Sequence, residues 1–361
     1  MNRHHRDTGK PNRVLPIEPR EVVEPGVADC LAAAIAFDHL LREHYEQSRK
    51  PTPLYAIQGG VAVAALTRNY TLVIPESIGN LGKINFGRET KDVDVDLNYR
   101  DPAALWEAIG GRRWPPFEPY GTHPPGGWGP GEFVLSENRQ KYYWRRPHEY
   151  RGDVPFDVHE SNGAKPFRVQ ALYPHLQPFH GRLTRRVSIL SDDFPVRRLS
   201  HPNAYLATQT ATAGAITIHR APIIILLKLD ASPRSGGLNG AVWKDLLDIR
   251  LLFETYDRTK EEILDLDDAQ VKWFMDELDP TAHRRLLEKA RKLVAGANLA
   301  KEVAHWEMDK YKDRFVNRTS SQAMELEAWD DQVDSLAQRY KKAFEKLVKM
   351  LEVRFAFLSA S

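Results

Sequence analysis

Asp92, Asp94 and Asp96 alternate with Val93, Val95 and Leu97 in the stretch Arg-Glu-Thr-Lys-Asp-Val-Asp-Val-Asp-Leu at 88–97. This is the period of a half-buried β-strand, with one apolar face and one face carrying three carboxylates roughly 6.5–7 Å apart. Aspartate has poor strand propensity, and like charges on one face repel. Such a strand conflicts with itself unless a cation sits among the acids. Hard cations such as Mg²⁺ take oxygen ligands, commonly one or two carboxylates together with substrate phosphates. Taken alone, the strand is equally compatible with a solvated acidic edge.

Three other stretches place chemistry-bearing residues where burial is expected. Leu54-Tyr55-Ala56-Ile57 leads through Gln58-Gly59-Gly60 into Val61-Ala62-Val63-Ala64-Ala65-Leu66. A strand, paired glycines and a helix in that order let backbone N–H groups approach a phosphate at the positive end of the helix, or simply make a tight turn. Val154-Pro155-Phe156-Asp157-Val158-His159 is an apolar strand holding one carboxylate, which is costly unless paired, hydrogen-bonded or ligated. Ile223-Ile224-Ile225-Leu226-Leu227-Lys228-Leu229 buries a lone lysine that calls for an anionic partner.

The elements that must position these groups follow from patterning. Residues 1–26 are rich in Pro, Arg and Glu and read as a disordered tail. Leu31, Ile35, Leu41 and Tyr45 predict an amphipathic helix over 27–45. Asp101 as N-cap and Pro102 at the first helical position predict a short helix over 102–109. The stretches 132–135 and 139–146 read as paired strands leading to the Asp157 strand. Residues 167–181 read as irregular, with another strand inside 187–195. In 139–146, Arg139-Gln140-Lys141-Tyr142-Tyr143-Trp144-Arg145-Arg146 interleaves cations with aromatics. That pattern can hold an RNA backbone and stack bases, although an ordinary exposed strand is the preferred reading.

From Pro202 onward the pattern turns helical. Pro222 at a helix start places Lys228 about two turns in, and Pro233 ends that helix. A further helix over 241–256 carries Asp245 and Asp248 on one face at i,i+3 spacing. The last helix shows a stripe of Leu326, Trp329, Val333, Leu336, Tyr340, Phe344, Leu347 and Leu351, with Thr319 and Gln322 as a capping box ahead of it. The stripe reads as core, a dimer seam being the other option.

Bulk properties exclude several classes. A chain of 361 residues buries a large core and forms two domains or one elaborated one. A net charge of +2 means that a nucleic-acid partner needs a local basic patch. The single cysteine, Cys30, rules out a disulfide framework, suits a reducing, cytoplasmic setting, and falls on the apolar side of its predicted helix as a buried thiol. No stretch approaches about 18 uninterrupted apolar residues, so no transmembrane helix is expected. The polar N-terminus lacks the apolar run of a signal peptide. Neither a Gly-x-Ser-x-Gly elbow nor a Walker lysine loop is present.

Gly59-Gly60, then Arg88-x-Thr90-x-Asp92-x-Asp94, then the apolar-flanked Asp157 resemble the nucleotidyltransferase superfamily with the DNA polymerase β-like fold. Within it the chain is most similar to the AbiEii/AbiGii-type family, many of whose members are toxins of toxin–antitoxin pairs. That family also carries a lysine, then an arginine, then a basic-Asp-x-x-Asp helix. Lys228, Ala231, Arg234 and Lys244-Asp245-Leu246-Leu247-Asp248 stand here in matching order. The resemblance spans roughly 54–256. Two departures are an insertion at 69–87 between Gly60 and Asp92, and a Pro/Gly-rich stretch at 114–131 between Asp94 and Asp157.

The resemblance implies an α+β fold, with a nucleotidyltransferase-type mixed sheet flanked by helices in a catalytic domain over 27–200 and a helical C-terminal domain over 201–361. It implies transfer of a nucleoside monophosphate from an NTP to an acceptor hydroxyl, on a tRNA or other RNA end, with two Mg²⁺ ions and an antitoxin partner. In that scheme Asp92 and Asp94 hold one metal and share a second with Asp157, the candidate general base. Gly59 and Gly60 cradle the triphosphate, Lys228 neutralises the leaving pyrophosphate, and Arg88 supports the acidic strand or touches phosphate. Thr90 is a structural hydrogen-bonder, and Asp96 points into solvent. Asp245, which matches the family motif, orients Lys228 or the attacking group; alternatively it and Asp248 only suit the helix dipole. His159 is solvated or supports Asp157. Two other functions stay open: transfer to a small molecule or protein, and a catalytically inactive nucleotide-binding module.

Overall fold

Tyr55 to Gln58 are buried without a break, the signature of a strand covered on both faces. In the computed structural model of the chain this segment, β1 (Tyr55–Gln58), lies inside a sheet. The structure describes residues 27–49, 54–67, 71–72, 84–85, 90–98, 132–135, 142–145, 153–159, 166–190, 212–231, 240–259, 269–296, 298–316 and 326–358. Before β1 comes α1 (Val27–Gln47), and after it α2 (Gly59–Thr67). The other strands are β2 (Thr71–Leu72), β3 (Ile84–Asn85), β4 (Val93–Leu97), β5 (Glu132–Leu135), β6 (Tyr142–Arg145), β7 (Val154–His159), β8 (Thr184–Leu190) and β9 (Thr212–His219). Between β7 and β8 lies the short α3 (Arg168–Leu172). Six further helices follow, from α4 (Ala221–Ala231), α5 (Gly240–Thr259) and α6 (Ala269–Asp276) to α7 (Pro280–Ala295), α8 (Leu299–Val316) and α9 (Leu326–Leu358).

Among the described residues seven strands form one mixed sheet in the order β5-β6-β7-β4-β1-β9-β8, and β2 pairs with β3 separately. β4 runs antiparallel to β1 and parallel to β7, while β9 runs parallel to β1 and antiparallel to β8. The fold is therefore α+β: a mixed sheet flanked by helices and followed by a helical C-terminal region.

Phe37 of α1 seals one sheet face. Its ring meets Tyr55 at 5.4 Å, Phe156 at 5.8 Å and Phe133 at 6.1 Å. The next residue, Asp38, is buried and accepts hydrogen bonds from Arg186 at 2.9 and 2.7 Å and from the Tyr55 hydroxyl. Burial, reinforced by the Asp38 charge, pushes the Tyr55 hydroxyl well above its ordinary range. Cys30 is fully buried in the same helix, as expected, with its Sγ 3.6 Å from the Thr90 carbonyl.

Three expectations change. The stretch after Pro202 is not helical throughout: β9 enters the sheet beside β1, and among the described residues the helical run begins at Ala221. β9 reads Thr-Ala-Gly-Ala-Ile-Thr-Ile-His, so its alternation is diluted by small residues. The span expected to be irregular after Phe167 contains α3. In β6, Tyr142 and Trp144 are buried rather than displayed, since β6 is flanked by β5 and β7 and both side chains enter the core. The tail at 1–26, the helix over 102–109, the insertion at 114–131, Pro233, Arg234, Thr319 and Gln322 lie outside the described residues. So does most of 69–87, where only β2 and β3 are described.

Val333, Leu336, Tyr340, Phe344, Leu347 and Leu351 of α9 are buried as the stripe required. Beside them α5 contributes Arg250, 1% exposed, whose guanidinium meets Glu254 at 2.8 Å and Glu307 of α8 at 2.6 Å. It lies 4.9 Å from the centre of the Tyr340 ring, and the Tyr340 hydroxyl donates to Glu307 at 2.5 Å. Burial disfavours the Arg250 charge, but Glu307, Tyr340 and Glu254 outweigh it and hold the group protonated. Arg339 of α9 adds bonds to Glu254 at 2.7 and 2.5 Å. Three helices are thus joined through one buried ionic network.

Candidate active site

The register of the central strands assembles the acidic residues. Asp94 of β4 stands directly opposite Asp157 of β7, and Asp96 opposite His159. Paired residues on neighbouring strands share a face about 4.8 Å apart, so Asp94 and Asp157 present two carboxylates side by side. Among the described residues no lysine or arginine pairs with either. His159 Nε2 lies 3.8 Å from Asp94 Oδ1. Two adjacent carboxylates in a sheet are mutually repulsive and fit an oxygen-seeking divalent cation.

Asp92 precedes β4 and accepts a hydrogen bond from Thr90 Oγ1 at 3.1 Å, so Thr90 has the structural role expected of it. Among the described residues no three His, Cys, Asp or Glu side chains are grouped as a metal cage. Asp94 and Asp157 are paired across neighbouring strands, and Asp92 stands in the Thr90 turn that leads into β4. Arg88 lies outside the described residues.

Asp96 does not point into solvent. It is 1% exposed, with Gln58 Nε2 donating to Oδ1 at 3.0 Å and His219 Nε2 lying 3.1 Å from Oδ2. Alternation assigned it to the correct face but not to a depth. On that face Phe179 stacks over His219 with ring centroids 6.5 Å apart, closing the floor beneath Asp96. Gln58 and His219 were missed because their polar contacts span 38 and 123 residues of sequence. The available signal was a histidine ending the strand Ile-Thr-Ile-His.

Gly59 begins α2 with φ +67°, a conformation that favours glycine. A Cβ there would overlap Asp94 Oδ2 and lie 2.8 Å from its Cγ. The bare Cα lets the Asp94 carboxylate rest against the start of a helix whose first turn carries no acidic residue. Gly60 is buried behind it. Gly59→Ala is expected to cost about 1–2 kcal/mol from the backbone conformation alone, with more from displacing Asp94. Chemical denaturation and divalent-cation titration should both register the change. Unchanged cation affinity would mean that Asp94 does not need this contact.

Lys228, about two turns into α4, places Nζ 2.8 Å from Asp245 and 2.9 Å from Asp248. Asp248 is fully buried. Burial works against the Lys228 charge, but Asp248 and then Asp245 outweigh it and raise its pKa. Both acids of the i,i+3 pair thus hold this lysine, rather than one of them. No hydrogen bond or ion pair joins this cluster to Asp94 or Asp157 among the described residues. α2, which starts at Gly59, packs against both α4 and α5 and links the two regions.

His159 is held above the ordinary histidine value chiefly by its close polar contact with the Asp94 carboxylate, against the opposing effect of partial burial, with help from the charges of Asp96, Asp94 and Asp157. A raised folded-state pKa contributes stability that is complete below the unfolded value of about 6.5 and disappears as pH rises through the folded value. His159→Gln should therefore melt below wild type near pH 5.5, with the two curves converging as pH rises through the raised folded-state value. A constant gap across thermal melts at all pH values would contradict this.

No helix among the described residues is long and apolar enough to cross a membrane. No protein-family model matches the chain, and no curated protein matches it. It is similar to a solved structure described as an antigenic nucleotidyltransferase-like protein from Paracoccidioides brasiliensis, at 16% identity over 76% of this chain and 93% of that chain. The TM-score is 0.34, a likeness too loose to bear on activity.

Proposed function

We propose that the protein is a nucleotidyltransferase that moves a nucleoside monophosphate from an NTP onto an acceptor hydroxyl. The observation supporting this reading is the Asp94–Asp157 pair set against the left-handed Gly59 at the start of α2. A divalent cation such as Mg²⁺, held by Asp94 and Asp157, would neutralise charge on the transferring phosphoryl group. Asp92 would join as a ligand through the oxygen that Thr90 does not hold. With two ions, the second would share the same pair.

The acceptor oxygen attacks the α-phosphorus, the bond to the bridging oxygen of the β-phosphate breaks, and pyrophosphate leaves. Asp157 takes the hydroxyl proton. The N–H groups at Gly59 and Gly60 face the triphosphate. Lys228 is already engaged by two carboxylates, which leaves one of its three N–H donors for a phosphate oxygen. Otherwise it fixes α4 against α5.

An RNA or tRNA end, and with it a toxin–antitoxin role, rests on the motif resemblance. The burial of Tyr142 and Trp144 removes two stacking residues from the cationic–aromatic stretch and favours a second reading, transfer to a small molecule or protein hydroxyl. One experiment separates these readings. The protein is incubated with Mg²⁺ and each α-labelled NTP, in turn with total RNA, a metabolite extract and protein alone. Label on RNA supports the first acceptor class, and label on a small molecule or protein supports the second. Nucleotide binding without any label would leave an inactive nucleotide-binding module.

A further inference from the structure

Arg220 follows His219 at the end of β9, and nothing in the motif pattern marks it. Its position is fixed by the strand register. Ile218 of β9 pairs with Ile57 of the parallel β1, and the next two residues, His219 and Gln58, both bond Asp96. One step further, Arg220 and Gly59 leave the sheet at the same edge. Each stands at the start of a helix: Gly59 begins α2, and the Arg220 carbonyl accepts the Ile224 N–H of α4 at 3.1 Å. The Arg220 backbone N–H is tied to the Leu183 carbonyl at 2.9 Å, which fixes the Cα.

The side chain is treated differently by the fold. Its Nε is buried and has no hydrogen-bond partner among the described residues. Burial lowers the guanidinium pKa, and no acid among the described residues raises it. Arg186 and Arg250, in contrast, are each paired with carboxylates. Lowering the solvation of a guanidinium without giving it a carboxylate costs stability. The first turns of α2 and α4 carry no acidic residue of their own, the Asp94 carboxylate being the acid that lies against Gly59.

We propose that Arg220 binds phosphate, forming with the Gly59 end of α2 the subsite for the outer phosphates of the triphosphate. The inference deepens the nucleotidyl-transfer reading and rests on it for the identity of the anion. The planar fork of arginine suits bidentate contact with phosphate oxygens. The repulsive Asp94–Asp157 pair lies on the other side of β1, which places the β- and γ-phosphates towards β9 and the α-phosphate towards β4.

The test is calorimetric titration of the full-length protein with inorganic triphosphate in EDTA, so that no metal contributes. Arg220→Gln should weaken binding about ten-fold or more, and Arg220→Lys by less, since it keeps the charge and loses the fork. Removing an uncompensated, half-buried charge should leave the melting temperature of Arg220→Gln equal to or above wild type, the opposite of a structural arginine. Binding by Arg220→Gln within two-fold of wild type overturns the proposal. So does a wild-type protein that takes up no triphosphate at millimolar concentration, or an Arg220→Gln protein that melts well below wild type. Asp94→Asn separates this idea from the reaction itself. It should bind triphosphate at least as well as wild type, because a repelling carboxylate is gone. Arg220-dependent binding without label transfer by wild type leaves the subsite standing and removes the transferase reading. Label transfer with triphosphate binding insensitive to Arg220 does the reverse.

Discussion

Asp94→Ala should abolish label transfer, lowering the rate on the order of 10³-fold or more, because a divalent cation contributes several kcal/mol to stabilising a transferring phosphoryl group. Divalent-cation binding, followed by calorimetry with Mg²⁺ or Mn²⁺, should fall in parallel. The fold should persist, since Asp94 is not neutralised by a lysine or arginine among the described residues and its removal relieves repulsion with Asp157. Asp157→Asn should give the same pairing of lost transfer and lost cation. Transfer that survives in Asp94→Ala would end the metal-centred reading. Transfer that fails while cation affinity is intact would move Asp94 from metal ligand to substrate contact.

The largest effect on stability is expected at Arg250. Arg250→Ala leaves the buried Glu307 without its cation, Glu254 keeping Arg339, and also removes the ring contact with Tyr340. Breaking a buried pair by deleting one partner costs about 3–5 kcal/mol. For a chain whose total stability is on the order of 5–15 kcal/mol, this is a large fraction. Urea denaturation monitored by tryptophan fluorescence should show the midpoint falling accordingly. A loss below about 1 kcal/mol would mean that water replaces the guanidinium, and that the network is a rim rather than a core.

How much of this was legible in the sequence depends on the range of each interaction. The alternation at 92–97 assigned both faces of β4, and the Gln-Gly-Gly run marked the strand-to-helix turn, because both signals are local. The need of Lys228 for an anion followed from its apolar neighbours, and Asp245 and Asp248 were already on one helix face. The α9 stripe likewise read correctly, since Val333, Leu336 and Tyr340 repeat within a single helix. Asp96 was misjudged because its depth depends on Gln58, His219 and Phe179, which come from separate elements. β9 was missed because Ala213, Gly214 and Ala215 blur the pattern, and Gly214 is small for a packing reason: a Cβ there would press on Ile35 of α1. Arg250 could not be recognised as buried at all, since its compensation arrives from Glu307 and Tyr340 in two later helices. Tyr142 and Trp144 illustrate the reverse error. A cationic, aromatic sequence suggested an outer surface, but β5 and β7 enclose that strand.

The strand order has a consequence for the newly made chain. β1 and β4 are synthesised early and lie inside the sheet; β7 is then added on one side and β9 on the other. Asp94 therefore emerges from the ribosome long before Asp157, and His219 and Arg220 later still. A nascent chain shorter than about the end of β9 has the acidic strand but neither its companion carboxylate nor the floor beneath Asp96. Non-local pairings of this kind form slowly. The proposed transfer to a hydroxyl would thus be withheld during translation by topology alone, and would begin only when the outer strands have docked.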